Sequence, residues 1–367
     1  METSRIDIHD YTNKLQRDLK ALGRDERLLP EQRRTITRYI NDAKVGYASQ
    51  HRRRRGRRPI SDGRSLKILW HLRRIAIELK TPFEQVTVTQ MEQLIDGLEQ
   101  GTVTKLTSKN PGGPYSPETI KDFKAILRRF YKWLIGEDVA KYEELVGWFD
   151  MRCEPPELET FTLKEAKQMA MTQGPQGRAL IMALFDGGFR PTELFNVRLF
   201  DVHFDLDEQG RYVAMVRIRH SKTKPRTIAL PLATDDLLFW IERHPDGGKL
   251  NETGRIDAKD PNALLIQWSY HYGRKVLHQL GKDELSQRLY FYRFRHASAT
   301  FYARHLTEFQ MCARYGWVMG SKAVRRYVDV SGLLAQSATD AIRSIGSGSI
   351  GNASIPVGAS GVGRRVA

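Results

Sequence analysis

Two consecutive prolines, Pro155 and Pro156, divide this sequence of 367 residues into two parts that we expect to fold separately. Proline lacks a backbone N–H and restricts the residue before it to extended geometry, so a helix cannot continue through the pair. Thr162 and Glu165 then have the spacing of a capping box, which indicates that a new helix begins there. The predicted organisation is a helical domain over 1–150, a linker over 151–160 and a second domain over 161–332.

The first domain is predicted to be almost entirely helical, because its apolar residues recur at three- and four-residue spacing. The clearest pattern follows Ser116, a good N-cap, and Pro117, which suits the first helical position. Thr89 and Glu92 form a capping box that predicts the start of the preceding helix. Three earlier helices are predicted at about 8–22, after Pro30, and over the apolar positions Leu66, Leu69, Leu72, Ile75, Ala76 and Leu79.

The charge of the chain predicts a polyanionic partner. Lys and Arg number 59 against 43 Asp and Glu, which gives a formal net charge of +16. Nucleic acid is the first candidate and an anionic membrane surface the second, but no run of about 18 apolar residues is present to span a bilayer. The N-terminus lacks the apolar core of a signal peptide. With only Cys153 and Cys312, no disulfide framework or cysteine-rich zinc site can form, which favours a cytoplasmic protein with reduced thiols.

A run of arginines in the first domain is the densest positive charge in the sequence. It could be a solvated loop, a loop lying on DNA phosphates through counterion release, or a patch resembling a nuclear-localisation signal. Nothing else in the sequence points to a nucleus, and we favour the DNA-binding interpretation. The run consists of Arg52, Arg53, Arg54, Arg55, Arg57 and Arg58, interrupted by Gly56.

The second domain is predicted to combine helices with a β-hairpin. An apolar helix over about 176–187 ends at a glycine pair, and strands over 212–219 and 227–231 flank a turn. Residues 232–285 are expected to be mostly helical, with loops at Gly247-Gly248 and 251–261. A short amphipathic helix over 333–345 and a disordered Gly/Ser-rich tail over 346–367 complete the prediction. The fold class is therefore mainly α with a small antiparallel β-sheet.

Several residues of the second domain suit chemistry on a phosphodiester. Arg295, His296, Trp317 and Tyr327 lie close to short turns within 286–332. Arginine binds phosphate oxygens through two parallel hydrogen bonds, and a tyrosine hydroxyl can act as a nucleophile where cations stabilise its charge.

Each candidate also has a purely structural interpretation. Arg190 could form a buried ion pair with Glu193, and a lysine in a hairpin turn, such as Lys222, is usually solvated. Arg295 and His296 could belong to a helix face with a salt bridge. Trp317 could be a packing residue, and Tyr327 is one of 14 tyrosines.

Taken together and in this order, the motifs resemble the tyrosine recombinase (phage integrase) family. The resemblance covers about 160–332, whereas 1–150 matches only as a basic helical region of the size of that family's core-binding domain. Two positions depart from the family pattern: Tyr292 and Trp317 stand where histidine is usual. Tyrosine at the first position is similar to the archaeal integrase branch. The motifs are Gly188-Phe189-Arg190-Pro191-Thr192-Glu193-Leu194, Ser221-Lys222-Thr223-Lys224, Arg295-His296-Ala297-Ser298-Ala299-Thr300 and Arg326-Tyr327.

The resemblance implies roles for these residues. Tyr327 would attack the scissile phosphodiester and form a 3′-phosphotyrosine link, while Arg190 and Arg295 neutralise the non-bridging oxygens. Lys222 would protonate the departing 5′ oxygen. Trp317 and Tyr292 would position the phosphate, although a phenol with a pKa of about 10 is a poor base. Glu193 and His296 would support the site.

The resemblance also implies partners. Two domains would clamp double-stranded DNA, and four protomers would assemble on two recombination sites. Residues 333–345 would dock on a neighbouring protomer. The family's chemistry requires no metal or nucleotide cofactor, and no phosphate-binding loop of the Gly-x-x-x-x-Gly-Lys-Ser/Thr type is present.

Two other functions remain open at this point. One is a monomeric relaxing enzyme similar to type IB topoisomerases, which uses the same nucleophile. The other is a non-enzymatic sequence-specific DNA-binding protein, in which Tyr292 and Trp317 signal lost catalysis. A nicked suicide substrate distinguishes the three, because covalent capture excludes the binding protein and site-dependent strand exchange excludes the relaxing enzyme.

Overall fold

A computed structural model describes residues 5–46, 59–106, 111–154, 157–221 and 223–331, with only the backbone given for 329–331. Several predicted features lie outside these residues: the arginine run 52–58, Lys222, the paired prolines, the helix 333–345 and the tail 346–367. Within the described ranges, no helix is both long enough and apolar enough to cross a bilayer.

The chain forms two compact units. One lies within His9–Glu157 and the other within Leu158–Ala367 together with Met1–Ile8. Residues 5–8 join the second unit because the backbone N–H of Ile6 donates to Asn196 Oδ1 (2.7 Å), and Asn196 Nδ2 donates back to the Ile6 carbonyl (3.2 Å). The DNA-binding and catalytic roles of the two units stay predictions.

The first unit is helical in all its regular elements among the described residues. A 3₁₀ turn lies at Phe83–Gln85 and a π-helical turn at Glu143–Gly147. Its α-helices are α1 (Tyr11–Gly23), α2 (Pro30–Lys44), α3 (Asp62–Leu79), α4 (Val88–Glu99), α5 (Pro117–Ile135) and α6 (Val139–Tyr142).

Five predicted helices of this unit are confirmed, and one predicted cap is wrong. Ser116 caps α5, with its hydroxyl accepting from the Thr119 N–H, and the predicted apolar positions of α3 are buried. The cap of α4 is Thr87 with Gln90 rather than Thr89 with Glu92. Both pairs have capping-box spacing, and the earlier start lets the unit bury Met91, Leu94, Ile95 and Leu98 on one helix face.

The second unit contains helices and one three-stranded antiparallel sheet with strand order β1-β2-β3. The predicted fold class, mainly α with a small antiparallel sheet, is confirmed. The helices are α7 (Leu163–Met171), α8 (Pro175–Gly187), α9 (Pro191–Leu194), α10 (Thr234–Ile241), α11 (Tyr270–Leu285), α12 (Phe291–Tyr302), α13 (Glu308–Tyr315) and α14 (Lys322–Ser331). The strands are β1 (Val202–Leu206), β2 (Tyr212–Ile218) and β3 (Arg226–Leu230).

Two features of the second unit differ from the prediction. Strand β1 was not predicted, because only five residues alternate there and their partner is Tyr212–Ile218 of β2. The expectation for 232–285 was mostly helix with loops at Gly247-Gly248 and 251–261. The two loops are confirmed, but the rest of 242–269 is not helical and forms turns and isolated bridges. Gly247 and Gly248 have no room for a Cβ atom, which would lie 1.9 Å from a backbone carbonyl oxygen at either residue.

A buried carboxylate connects four segments of this unit. Asp186, at the end of α8, accepts hydrogen bonds from Arg314 of α13 (2.7 Å) and from the Tyr302 hydroxyl of α12. Its other oxygen accepts from the N–H groups of Leu232 (2.6 Å) and Ala233 (3.0 Å), just before α10. Burial raises the pKa of this carboxyl, while Arg314 and the hydrogen bonds act in the opposite direction. These bonds fix the ends of α8 and α13, which carry the candidate site.

Candidate active site

Arg295 is held at the meeting point of two helix ends. Its Nη1 donates to the Gly188 carbonyl after α8, and its Nη2 donates to the Tyr315 carbonyl at the end of α13, both at 2.7 Å. Carbonyls at helix C-termini lack intrahelical partners and carry partial negative charge, so they suit a cation. Arg295 is only 4 % exposed, and burial followed by the charge of Arg190 lowers its pKa to about 10.

Gly188 makes this contact possible. It adopts the left-handed conformation (φ +54°) and ends α8, and a Cβ atom here would lie 2.3 Å from Tyr315 Cε1 and 2.9 Å from Ser298 Oγ. Any other residue would therefore meet both strain and a clash. The chain then passes through buried Phe189 to Arg190, which precedes Pro191 at the first position of α9.

Glu193 binds two arginines at once. Its Oε1 accepts from Arg190 Nη1 (2.8 Å) and Arg226 Nη1 (3.1 Å), and its Oε2 accepts from the Arg190 backbone N–H (2.9 Å) and Arg226 Nη2 (3.1 Å). The Ser221 hydroxyl also donates to Oε1 (2.9 Å). Burial opposes ionisation of Glu193, but the hydrogen bonds and charges of Arg226 and Arg190 lower its pKa to about 2.

Arg226 was not among the site residues predicted from the sequence. It is the first residue of β3, and its Nε donates to the Arg314 carbonyl at the end of α13 (2.9 Å). The available signal was its position in the sequence, between the predicted turn at 221–225 and the strand predicted at 227–231. Gly316 allows this packing, because a Cβ atom there would lie 2.8 Å from Thr223 Oγ1 and 3.1 Å from Arg226 Nη1.

The charges of this cluster do not balance. Arg190, Arg226 and Arg295 supply three positive charges, and Glu193 supplies one negative charge. Asp186 is close in sequence but is paired with Arg314. The cluster therefore has an excess of two positive charges in a largely buried setting, which favours binding of an anion.

Tyr327 packs beside this cluster and is 6 % exposed. Its hydroxyl lies 2.8 Å from His296 Nδ1, and its ring stacks on Trp317 with a centroid distance of 5.3 Å and an interplanar angle of 5°. Trp317 stacks in turn on Tyr315 at 4.7 Å. The Arg295 guanidinium lies 5.5 Å from the Trp317 ring centroid, so it packs against the aromatic stack that contains the phenol.

Burial sets the ionisation of the phenol and the imidazole. It raises the pKa of Tyr327, with Arg295 and Arg326 opposing the change. It lowers the pKa of His296, and the charges of Arg326 and Arg295 lower it further. Near neutral pH the imidazole is therefore uncharged, and its Nδ1 can accept the phenolic proton when Nε2 carries the ring proton.

The fold brings six of the predicted site residues into one neighbourhood: Arg190, Glu193, Arg295, His296, Trp317 and Tyr327. Tyr292 lies on the exposed side of α12, and its side chain makes no hydrogen bond, ion pair or ring contact with any described residue. Lys222 and the arginine run 52–58 are outside the described ranges. In those ranges, no group of three or more His, Cys, Asp or Glu side chains could hold a metal ion.

Comparison with known proteins identifies the fold. No protein-family model matches the sequence, and a search of curated proteins finds no match. A solved lambda integrase dimer bound to a COC′ core site is 16 % identical, with a TM-score of 0.53 and coverage of 80 % of this chain and 94 % of that one. A lambda integrase tetramer bound to a Holliday junction is 13 % identical, with a TM-score of 0.52 and coverage of 88 % and 90 %. This chain has the tyrosine recombinase fold.

The resemblance inferred from the motifs is thus confirmed at the level of the tyrosine recombinase fold. Membership of the archaeal branch stays a prediction. In this fold, the motif residues around Arg190, Arg295 and Tyr327 come from three separate segments of the second unit and meet at the ends of α8 and α13.

Replacing Gly188 with alanine tests whether the end of α8 is as constrained as described. Gly188→Ala should lower the free energy of unfolding by about 2–5 kcal/mol, from left-handed strain and overpacking against Tyr315. Gly174→Ala, at the start of the same helix and in open space, should change it by less than about 1 kcal/mol. Urea unfolding measures both free energies, and equal effects of the two substitutions would show that the end of α8 is no more constrained than its start.

Proposed function

We propose that this protein is a tyrosine-type, site-specific DNA recombinase that cleaves and rejoins strands through a 3′-phosphotyrosine intermediate. The observation that carries the proposal is the excess of two positive charges beside a buried tyrosine hydroxyl. A phosphodiester supplies one negative charge, further negative charge develops on its oxygens in the transition state, and the phenol supplies a nucleophile. Among the described residues, no contact favours the relaxing enzyme or the non-catalytic binding protein over this function.

Arg190 and Arg295 are proposed to bind the non-bridging oxygens of the scissile phosphate. Arg295 uses one N–H of each terminal nitrogen for the two helix-end carbonyls, so each nitrogen retains a second N–H. Arg190 uses Nη1 for Glu193, which leaves Nη2 and Nε for an anion. Such preorganised donors stabilise charge as it develops in the transition state, and loss of one donor in comparable sites slows the reaction by about 10²–10³.

Tyr327 is proposed to attack phosphorus while its proton passes to Nδ1 of His296. The bond from phosphorus to the tyrosine oxygen forms as the bond to the 5′ oxygen breaks, and the leaving 5′ oxygen takes a proton from Lys222. The new phosphotyrosine ester retains the energy of the phosphodiester, so a 5′ hydroxyl can later reverse the reaction. Trp317 holds the ring of Tyr327, and Glu193 holds Arg190. Tyr292, on the exposed side of α12, is proposed only to contact the phosphate.

The proposed partners are double-stranded recombination sites and further copies of this chain. The lambda integrase structures that share the fold contain a dimer on a core site and a tetramer on a Holliday junction. We propose by analogy that four copies of this chain act on two DNA sites, without a metal or nucleotide cofactor. The first unit, with the arginine run 52–58, would bind the duplex, and the protein would act in the cytoplasm at the nucleoid.

A nicked suicide substrate tests the assignment of the nucleophile. Wild-type protein should form a covalent adduct, whereas Tyr327→Phe should bind the same DNA with unchanged affinity and form none, because only the hydroxyl oxygen is lost. Tyr272→Phe, a change at an exposed tyrosine on α11, should form adduct at the wild-type rate. An adduct of Tyr327→Phe that survives a denaturing gel would refute the assignment.

The pH dependence of adduct formation at subsaturating DNA tests His296. Because burial and the charges of Arg326 and Arg295 lower the pKa of His296, the rate should decline in acid with a midpoint below pH about 6.5, as the imidazole gains a proton and can no longer accept one. His296→Gln should slow the reaction by about 10²–10⁴ and lose this acidic decline. The exposed-histidine control His305→Gln should retain both rate and decline. An unchanged acidic decline in His296→Gln would show that another group is the proton acceptor.

A further inference from the structure

A second cationic site lies on the sheet of the second unit. A cavity of about 480 Å³ opens there, and its lining includes four arginines, one histidine and one carboxylate. We call it the sheet-face pocket and define it by Asp201, His203, Arg217, Arg219, Arg226 and Arg255. Of these six residues, only Arg226 also belongs to the candidate active site.

The secondary structure places these side chains together. His203 is on β1, and Arg217 on β2 lies directly opposite Thr227 of β3. Arg219 follows β2 and Arg226 begins β3, so both lie at the same end of the sheet as Arg217. The pocket is therefore built on paired strands and not on a free loop.

Arg255 reaches the pocket from a turn that is fixed against β1. The Phe204 N–H donates to the Gly254 carbonyl (2.7 Å), and Gly254 has φ +74° with a Cβ position only 1.9 Å from the Phe204 carbonyl oxygen. Asn251 closes the turn, with its Oδ1 accepting from the Arg255 N–H at 3.0 Å. A glycine is thus required beside Arg255, and the arginine has a defined position.

The pocket is positively charged and two of its arginines are unpaired. Arg219 forms an ion pair with Asp201 and lies 4.2 Å from the Phe200 ring centroid, while Arg226 pairs with Glu193. The side chains of Arg217 and Arg255 have no hydrogen-bond or ion-pair partner among the described residues. Solvated arginines on a sheet surface need no ligand, but here they converge with two paired arginines on one concave site.

We propose that the sheet-face pocket binds a phosphate group. Its guanidinium groups offer the planar pairs of N–H donors that match phosphate oxygens. Because Arg226 lines the pocket and also holds Glu193, the bound phosphate lies next to the candidate active site. Resting on the proposed function, we assign it to the DNA backbone near the scissile phosphate. A free phosphate-containing small molecule has the same chemistry and is the second source to test.

The salt dependence of DNA binding tests the first source. The double variant Arg217→Gln/Arg255→Gln removes two exposed side chains that no described residue contacts through polar bonds, so the fold should persist, as circular dichroism can verify. If the pocket holds one backbone phosphate, the slope of log K against log[KCl] should become shallower by about 0.9. The control Arg211→Gln/Arg243→Gln removes two exposed charges from the same unit, outside the pocket, and should leave the slope unchanged.

Binding of inorganic phosphate to DNA-free protein, followed by ³¹P NMR, tests the second source. A shallower slope in the pocket variant supports a DNA phosphate in the pocket. An unchanged slope with loss of one inorganic phosphate per chain relative to the control supports a small phosphate ligand. If neither measurement separates the pocket variant from its control, the proposal is overturned.

The test is independent of catalysis when all variants carry Tyr327→Phe. The protein with Tyr327 intact is assayed separately for adduct formation. If it forms no adduct but the pocket variant has a shallower slope, the pocket is supported and the proposed chemistry is contradicted. If the protein with Tyr327 intact forms adduct, and the pocket variant matches its control in both the salt slope and the binding of inorganic phosphate, the chemistry is supported and the pocket is overturned.

Discussion

The ion pairs of Glu193 are the interaction on which the candidate site depends. One buried carboxylate holds Arg190 on α9 and Arg226 on β3, so it fixes the position of the hairpin relative to the end of α8. Arg295 forms no ion pair with a carboxylate in the part of the chain that the structure describes, and it relies on the carbonyls of Gly188 and Tyr315. Partial charges at helix ends stabilise a guanidinium less than a full counter-ion does, and burial lowers the pKa of Arg295 accordingly. The protein thus holds a set of cations in place while leaving their charge incompletely neutralised.

The arginines stay charged in the site, whereas the hydroxyl of Tyr327 and the imidazole of His296 stay uncharged. Burial keeps the phenol protonated, and a protonated phenol is a poor nucleophile. The same burial keeps His296 neutral, and a neutral imidazole is the form that can accept the proton. The same burial therefore sets up a proton donor, the phenol, and a proton acceptor, the imidazole, before any substrate is bound. The stack of Tyr327, Trp317 and Tyr315 fixes the direction of the hydroxyl, and Arg295 packs against the same stack.

Local signals in the sequence predicted most helices and the order of the motifs. Capping boxes such as Thr162 with Glu165, and the end of α8 at Gly188, depend on residues three or four positions apart, so their geometry can be inferred without the fold.

Contacts between distant segments could not be inferred. Strand β1 is too short to be recognised without β2, and Arg226 resembles any basic residue after a turn until Glu193 is placed beside it. His296 was expected to support the site, but its bond to Tyr327, 31 residues away, emerges only when α14 packs on α12. Tyr292 was expected to position the phosphate, and yet its side chain lies on the exposed side of α12.

Unneutralised arginine charge is proposed to stabilise the negative charge of a scissile phosphate. Adduct formation can be compared between a normal phosphodiester and an uncharged methylphosphonate at the cleavage position, using wild-type protein and Arg190→Ala. Glu193 keeps Arg226 in this variant, so the site retains its scaffold. Arg190→Ala should form adduct about 10²–10³ times more slowly on the phosphodiester but only slightly more slowly on the methylphosphonate. An equal loss of rate on both substrates would show that Arg190 does not act on the charge of the phosphate.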